Sequence, residues 1–152
     1  MMRLSLLGST GSIGTQALEV VRNLRAQGEE VQVVALAARS SVQALEAQAR
    51  EFRPAMVAVF EEAAARSLRE SLADTGIPVL AGMEGLCQAA AWETATTTLN
   101  AVVGMVGLQP TLAAIRAGKT VALANKETLV AGGAMVMEEA RSRGVAMLPV
   151  DS

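Results

Sequence analysis

Three glycines spaced three residues apart stand near the start of the chain, in the stretch GSTGSIG at residues 8–14. They follow an apolar run and precede a helical pattern, so they mark a strand-to-helix junction. Glycine allows backbone conformations, and close approach of a ligand, that a Cβ atom would block. The N–H groups of the helix start, with the helix dipole, favour a pyrophosphate. Such a loop is often only a tight turn, but at the first strand–helix junction of an α/β chain it predicts dinucleotide binding, with Gly14 letting the helix pack tightly on the strand.

The residues after the second apolar run indicate which dinucleotide would bind. An NAD site usually has an acidic residue there for the ribose 2′-hydroxyl. This chain has Arg39, Ser40 and Ser41 instead. A guanidinium and two hydroxyl groups suit a 2′-phosphate, which favours NADP over NAD. The alternative is that Arg39 is a solvated loop charge and that a serine only caps the next helix.

A second polar cluster, Asn125, Lys126 and Glu127, lies between a later strand and its helix. Helix-start chemistry explains Asn125 as a cap and Glu127 as a first-turn acid. It does not explain Lys126, because a cation at a helix N-terminus opposes the dipole. Lys126 is therefore predicted to contact a negatively charged ligand.

Asp151 and Ser152 follow the last apolar run, at the same edge of the predicted sheet. A carboxylate there could bind a hard cation, although one carboxylate does not make a site. Open α/β sheets bind ligands outside the carboxyl ends of their strands. Because the sequence stops where a functional loop should begin, we expect it to be part of a longer protein.

Short apolar runs alternate with longer amphipathic segments throughout the chain. The pattern predicts strands over residues 3–7, 31–37, 55–60, 79–81, 96–103, 120–124 and 145–149, and helices over residues 12–25, 41–52, 61–73, 84–91, 110–117 and 127–143. Strands that are apolar on both sides and alternate with helices indicate a parallel sheet covered on both faces. The predicted fold is therefore α/β, a doubly wound, mostly parallel, Rossmann-like dinucleotide-binding domain spanning residues 1–152.

The composition excludes several classes of protein. A hydrophobic content of 51% excludes a disordered chain, and a net charge of −2 argues against nucleic-acid binding. No apolar run approaches the roughly 18 residues of a membrane-spanning helix, and no signal peptide is apparent. The single cysteine, Cys87, fits a reducing cytoplasm and is read as a buried apolar residue. Without histidine or tyrosine, catalysis would need Lys, Asp, Glu, Ser or a bound cofactor.

Four stretches together resemble the 1-deoxy-D-xylulose 5-phosphate reductoisomerase family, NADPH enzymes of non-mevalonate isoprenoid biosynthesis. They are LGSTGSIG (7–14), VVALAA (33–38), GLQPTLAAIRAGKTVALANKETLV (107–130) and LPVDS (148–152). They occur in order along the whole chain, and LANKETLV and LPVDS are far more specific than the glycine loop. The resemblance implies the NADPH-binding domain alone, without the family's central catalytic and C-terminal helical domains.

The resemblance also implies roles for individual residues. The NADPH pyrophosphate region would be bound by Thr10, Gly11, Ser12 and Ile13. Asn125 and Glu127 would contact the cofactor, Lys126 and Ser152 the sugar-phosphate substrate, and Asp151 a divalent cation, Mg²⁺ or Mn²⁺. The family usually has glycine, a basic residue and asparagine after the second strand, where this chain has Arg39, Ser40 and Ser41, so the positive charge is kept but the 2′-phosphate contacts differ. The remaining metal-binding glutamates would lie beyond Ser152.

The reaction implied by the resemblance yields 2-C-methyl-D-erythritol 4-phosphate. The cation would chelate neighbouring substrate oxygens and polarise the ketone, and NADPH would reduce the rearranged aldehyde. The full-length protein would be a cytoplasmic homodimer, whereas this chain would bind NADPH without turnover. Two alternatives stay open. One is another NADP-linked enzyme, such as an aspartate-semialdehyde dehydrogenase, which needs a catalytic cysteine with a histidine; the other is a non-enzymatic nucleotide-sensing module.

Overall fold

The computed structural model describes residues 1–124 and 126–150, without the side chains of Met105 and of residues 126–131. Within these residues the strands are β1 (Met2–Leu7), β2 (Val31–Ala38), β3 (Met56–Val59), β4 (Val79–Ala81), β5 (Thr97–Asn100), β6 (Thr120–Leu123) and β7 (Met147–Pro149). The α-helices are α1 (Ser12–Ala26), α2 (Val42–Phe52), α3 (Glu62–Ser71), α4 (Gly82–Ala90), α5 (Leu108–Arg116) and α6 (Lys126–Ser142). A short 3₁₀-helix, Met105–Gly107, precedes α5.

The strands form one sheet in the order β4-β3-β2-β1-β5-β6-β7, and every neighbouring pair is parallel. Strands β2, β3 and β4 are added one after another on one side of β1, and β5, β6 and β7 are added on its other side. The connections after β1 and β5 therefore leave in opposite directions, which opens a crevice at the carboxyl ends of these two strands. This order confirms the predicted doubly wound α/β fold and shows a sheet that is parallel throughout.

Helices cover both faces of the sheet, and side chains of β1 contribute to both of the hydrophobic cores that result. Leu6 is fully buried in the core that β1–β4 share with α1, α2 and α3. Leu7 points the other way and is fully buried in the core formed with α4, α5 and α6. Burial on both faces explains why the strand sequences are apolar without alternation.

Strand β5 is shorter than the predicted strand at residues 96–103, because the buried Asn100 side chain turns the chain. Its Oδ1 accepts a hydrogen bond from the Val102 N–H at 3.1 Å, and its Nδ2 donates to Gly107 O at 2.9 Å and to Thr111 Oγ1 at 2.8 Å. An asparagine that bonds the backbone two residues ahead produces a turn rather than a continued strand. The other predicted strands and helices agree with the observed bounds to within two residues.

In the part of the chain that the structure describes, no helix combines the length and apolar character needed to cross a membrane.

Candidate functional site

A cleft of about 190 Å³ opens at the carboxyl ends of the central strands, where the strand order reverses. Its walls come from the glycine loop, the ends of β2 and β3, helix α4 and the loop after β5. The lining residues are Gly8, Thr10, Gly11, Ala38, Arg39, Phe60, Leu86, Ala101, Val102, Val103 and Val106. Most of this surface is apolar or backbone, and among the lining residues Arg39 carries the charge. Open parallel sheets bind ligands at this position.

Two of the three loop glycines are required by contacts within the protein. Gly8 has a φ of +80°, and a Cβ atom there would lie 2.7 Å from the carbonyl carbon and oxygen of Ala101. At Gly14 a Cβ atom would lie 2.1 Å from Gly8 O and 2.6 Å from the Ser9 Cα. Gly14 therefore does permit close packing, but against the backbone of the loop and not, as predicted, against the strand.

Gly11 has no comparable constraint. Its φ is −82°, and among the described residues a Cβ atom there would have only Gly8 O within 4 Å, at an ordinary 3.6 Å. Gly11 is exposed and lines the cleft. It also precedes α1 as its N-cap, with no side-chain cap, so the first N–H groups of the helix have no intrahelical acceptor. Contacts among the described residues therefore do not require glycine at position 11, where the missing side chain leaves space beside the cleft.

The loop is held by hydrogen bonds from both sides. The Gly8 and Ser9 N–H groups donate to Ala37 O at 2.8 and 3.0 Å, which ties the loop to β2. From α2, Gln48 Nε2 donates to Ser9 O at 2.9 Å. Ser9 and Gln48 are both buried, and neither Ser9 Oγ nor Gln48 Oε1 has a hydrogen-bond partner in the described structure.

Gln48 supports the loop although no sequence motif marks it, because the residue it bonds lies 39 positions away. A local signal was nevertheless present. Gln48 is a polar residue on the buried face of α2, in line with Leu45, Ala49 and Phe52. A buried polar side chain needs a partner, so its place in an apolar stripe indicates a specific hydrogen bond.

The structure brings most of the predicted cofactor residues to one place. Thr10 and Gly11 line the cleft, and Ser12 and Ile13 form the first turn of α1 beside it. Arg39 follows β2 and also lines the cleft, whereas the exposed Ser40 is its neighbour but not among the lining residues.

Arg39 lies at the rim of the cleft with its side chain 77% exposed. Its Nε is 3.6 Å from Glu61 Oε2, and its carbonyl oxygen accepts a hydrogen bond from the Glu61 N–H at 3.0 Å. Arg39 is therefore a solvated loop charge, as the alternative to 2′-phosphate binding expects, and it also lines the cleft.

The second predicted cluster falls largely outside the described residues. Asn125, Asp151 and Ser152 lie outside them, and Lys126 and Glu127 begin α6 without described side chains. The strands before these residues are adjacent, since Leu123 pairs with Pro149 and the Val150 N–H donates to Leu123 O at 3.1 Å. The described residues contain no group of three metal-ligating side chains, and Asp151 as a metal ligand stays a prediction.

Cys87 is half-buried on α4, not buried as predicted, and is not among the residues that line the cleft. Burial raises the pKa of its thiol above the ordinary value. A raised pKa disfavours the thiolate, which is the nucleophilic form. Cys87 therefore does not have the environment of a catalytic cysteine.

Comparisons of the sequence and of the structure with known proteins point to the same family. The family profile of 1-deoxy-D-xylulose 5-phosphate reductoisomerase matches residues 4–133. The protein of that name from Desulfitobacterium hafniense (strain DSM 10664 / DCB-2) is 52% identical over 152 residues, which are 100% of this chain and 39% of the relative. The chain thus spans about two fifths of the length of the curated relatives it matches.

Two solved structures superpose closely on the chain. The reductoisomerase from Zymomonas mobilis in complex with NADPH gives a TM-score of 0.91 at 39% identity, covering 99% of this chain and 39% of that one. A DOX-P reductoisomerase in complex with NADPH, fosmidomycin and magnesium gives a TM-score of 0.91 at 37% identity, covering 98% of this chain and 36% of that one.

Proposed function

The chain belongs to the 1-deoxy-D-xylulose 5-phosphate reductoisomerase family, and on this premise we propose that residues 1–152 are the NADPH-binding domain of such an enzyme. The observation that carries the proposal is the glycine loop at the reversal of strand order, with Gly11 open to the cleft and Arg39 at its rim. The matched relatives are much longer, so the catalytic and helical C-terminal domains would belong to the rest of the full-length protein.

We expect a dinucleotide to lie across the cleft in a definite direction. Around the cleft, Phe60 follows β3, Arg39 follows β2, the glycine loop follows β1, and Ala101 follows β5. These strands are neighbours in that order. A pyrophosphate bound at the first turn of α1 would place the adenosine on the β2 side and the nicotinamide on the β5 side.

Several groups of this chain would hold the cofactor. The N–H groups of Ser12 and Ile13 would donate to the pyrophosphate, and the hydroxyls of Thr10 and Ser12 would add donors. Arg39 would bind the 2′-phosphate, with Ser40 beside it, because a guanidinium pairs with phosphate through two parallel hydrogen bonds.

The loop after β5 would shield the nicotinamide side of the cleft. Val102, Val103 and Val106 line the cleft there, and apolar side chains exclude water from a reacting centre. The bound NADPH would supply hydride, while this chain positions it.

The second cluster would complete the site together with the rest of the protein. Asn125 and Glu127 would contact the cofactor, Lys126 and Ser152 the sugar phosphate, and Asp151 would bind Mg²⁺ or Mn²⁺ with ligands outside this chain. That cation would act as a Lewis acid on the substrate ketone. We propose a cytoplasmic homodimer for the full-length protein, which converts 1-deoxy-D-xylulose 5-phosphate to 2-C-methyl-D-erythritol 4-phosphate.

A turnover assay tests this function. NADPH fluorescence is followed after 1-deoxy-D-xylulose 5-phosphate and Mg²⁺ are added to the full-length protein and, separately, to the 152-residue chain. We expect NADPH consumption with the full-length protein and none with the chain alone. Absence of turnover by the full-length protein would refute the enzyme assignment, and turnover by the chain alone would refute its role as a cofactor domain only.

A further inference from the structure

We propose that Glu61 lowers the affinity of this site for a 2′-phosphate, chiefly by repelling it and to a smaller extent by competing with it for Arg39, which makes Glu61 a determinant of cofactor discrimination. The inference rests on the proposed function, because it places the 2′-phosphate of NADPH at Arg39. It adds an acidic residue on β3's side of the cleft, where the sequence pattern indicated only the basic and hydroxyl residues after β2.

The backbone fixes Glu61 beside Arg39. Strands β2 and β3 pair in register up to Ala38 and Val59. Beyond that pair, the Phe60 N–H donates to Ala38 O at 3.0 Å and the Glu61 N–H donates to Arg39 O at 3.0 Å. The two backbone segments therefore stay hydrogen-bonded for two residues past the end of β3. Glu61 thus lies beside Arg39 whatever the directions of their side chains.

The side-chain contact itself is weak and exchangeable. Arg39 Nε lies 3.6 Å from Glu61 Oε2, and the two side chains are 77% and 51% exposed. Ion pairs this exposed contribute little to folding stability, since water and salt screen them. The guanidinium can therefore leave Glu61 for a better partner at small cost.

A 2′-phosphate would be that better partner, but Glu61 would oppose it. A phosphate monoester carries between one and two negative charges at neutral pH and accepts two parallel hydrogen bonds from a guanidinium. The Glu61 carboxylate would then stand within a few ångströms of a group of the same sign. Like charges at this separation near a protein surface repel measurably, and the repulsion falls with salt.

The opposite role, in which Glu61 orients Arg39 for the phosphate, is disfavoured by the same geometry. An orienting carboxylate holds a guanidinium through short paired hydrogen bonds, as Glu51 holds Arg22 at 2.6 and 2.8 Å. Glu61 makes no such pair with Arg39, whose side chain is mostly in solvent. Removal of the Glu61 charge should thus strengthen NADPH binding rather than weaken it.

The test compares dissociation constants of the 152-residue chain for NADPH and NADH, measured by cofactor fluorescence at low and high salt. The variants are Glu61→Gln, Arg39→Gln and the matched control Glu62→Gln. Glu62 is the next residue, exposed in the first turn of α3, and it makes no ion pair in the described structure.

We expect Glu61→Gln to bind NADPH about three- to tenfold more tightly at low salt, with the gain shrinking at high salt. NADH affinity should change less than about twofold, because NADH has no 2′-phosphate. Arg39→Gln should weaken NADPH binding, and in the double variant the effect of Glu61→Gln should be reduced to the part that comes from direct repulsion of the phosphate. Glu62→Gln should change NADPH affinity by less than about twofold.

Each other outcome has a distinct meaning. If the wild-type chain binds NADPH and Arg39→Gln weakens it, but Glu61→Gln leaves affinity unchanged or lower, this inference is wrong and the proposed function stands. An equal gain with Glu62→Gln would also overturn it, since any lost negative charge would then suffice. If the wild-type chain binds neither cofactor, the proposed function fails and the inference fails with it.

Discussion

Gly8, Gly11 and Gly14 share a regular spacing but meet different physical requirements. Gly8 adopts a positive φ against the Ala101 backbone, and Gly14 lets α1 approach the loop. Gly11 is sterically free within the described protein. The contacts of Gly8 and Gly14 are therefore required by the fold, whereas Gly11 is proposed to leave space for the ligand, and single substitutions can separate these two roles.

Gly14→Ala should destabilise the chain. The added methyl group would overlap Gly8 O at 2.1 Å and the Ser9 Cα at 2.6 Å, both of them backbone atoms that cannot rotate away. Overpacking of this kind costs about 1–3 kcal/mol. Thermal unfolding should show a Tm lower by roughly 2–4 °C for each kcal/mol lost.

Gly133→Ala is the matched control for Gly14→Ala. Gly133 lies in α6 directly after a kink at Gly132, and among the described residues nothing stands within 4 Å of its added Cβ. Because alanine is a better helix former than glycine, the Tm of Gly133→Ala should equal or exceed that of the wild type. Equal effects of the two substitutions would show that the close contact at Gly14 is not what the fold requires.

Gly11→Ala should fold normally and bind the cofactor poorly. Its Cβ atom would make one ordinary contact at 3.6 Å, at a φ that alanine readily adopts. The methyl group would stand where the pyrophosphate approaches the helix start, and we expect NADPH affinity to fall by at least about tenfold, or 1.4 kcal/mol. Calorimetric titration and thermal unfolding on the same sample check both parts, and unchanged affinity would remove the loop from the site.

Helix α2 supports the loop through one buried hydrogen bond, from Gln48 Nε2 to Ser9 O. Gln48→Leu should lose about 1–3 kcal/mol of stability, because Ser9 O would be buried without a donor. Gln48→Glu offers a sharper test. A protonated carboxyl group can donate the same hydrogen bond, whereas a carboxylate repels the carbonyl oxygen.

Relative to the wild type, the affinity of Gln48→Glu for NADP⁺ should therefore increase as the pH falls. Burial raises the pKa of a carboxyl group, so the protonated form is stabilised in the folded chain, and its contribution is lost as the pH rises through that raised pKa. NADP⁺ is used because NADPH decomposes in acid, with titrations at about pH 8 and about pH 5.5. The control is Gln43→Glu on the exposed side of α2, which should show no such dependence. Parallel pH profiles would mean that the Gln48 hydrogen bond does not position the loop.

Much of the fold and part of the site could be predicted because the signals are local. The apolar runs and the glycine loop depend on neighbouring residues, so their elements and the placement of Thr10, Gly11 and Arg39 at one cleft follow from the pattern. The turn that ends β5 is fixed by Asn100, which bonds residues 2, 7 and 11 positions ahead, and the role of Gln48 depends on a residue 39 positions away. Contacts this distant become visible only when the sheet is assembled.

Ion pairs between exposed side chains join neighbouring elements across the surface. Arg22 on α1 binds Glu51 on α2 through two hydrogen bonds, and Arg50 on α2 binds Asp74 beyond α3 in the same way. Hydrogen bonds from these guanidinium groups are the largest cause that lowers the pKa of Glu51 and of Asp74. The Arg143 guanidinium, through a hydrogen bond, does the same for Glu139.

Stability should therefore fall in acid. A carboxyl group whose folded pKa lies below its unfolded value contributes stability above the unfolded value, about 4, and loses it as the pH falls through the folded pKa. Urea unfolding between about pH 7 and pH 3 should show this decline. Glu51→Gln should flatten it slightly, since exposed pairs contribute about 0.2–1 kcal/mol each.

The control for the acid decline is Glu29→Gln. Glu29 is exposed and makes no ion pair in the described residues, so the profile of this variant should match that of the wild type. A wild-type stability that stays level to pH 3, or an identical profile for Glu51→Gln, would show that these pairs do not stabilise the fold.

At the scale of the whole chain, a seven-stranded parallel sheet carries the cleft at the carboxyl ends of its central strands, and the central proposal is that these 152 residues bind NADPH. Calorimetric titration of the chain with NADPH and, separately, with NADH measures this directly. We predict clearly tighter binding of NADPH, with the preference lost in Arg39→Ala because the 2′-phosphate loses its cationic partner. Binding of neither cofactor, or equal binding of both, would contradict the assignment of an NADPH site to this chain.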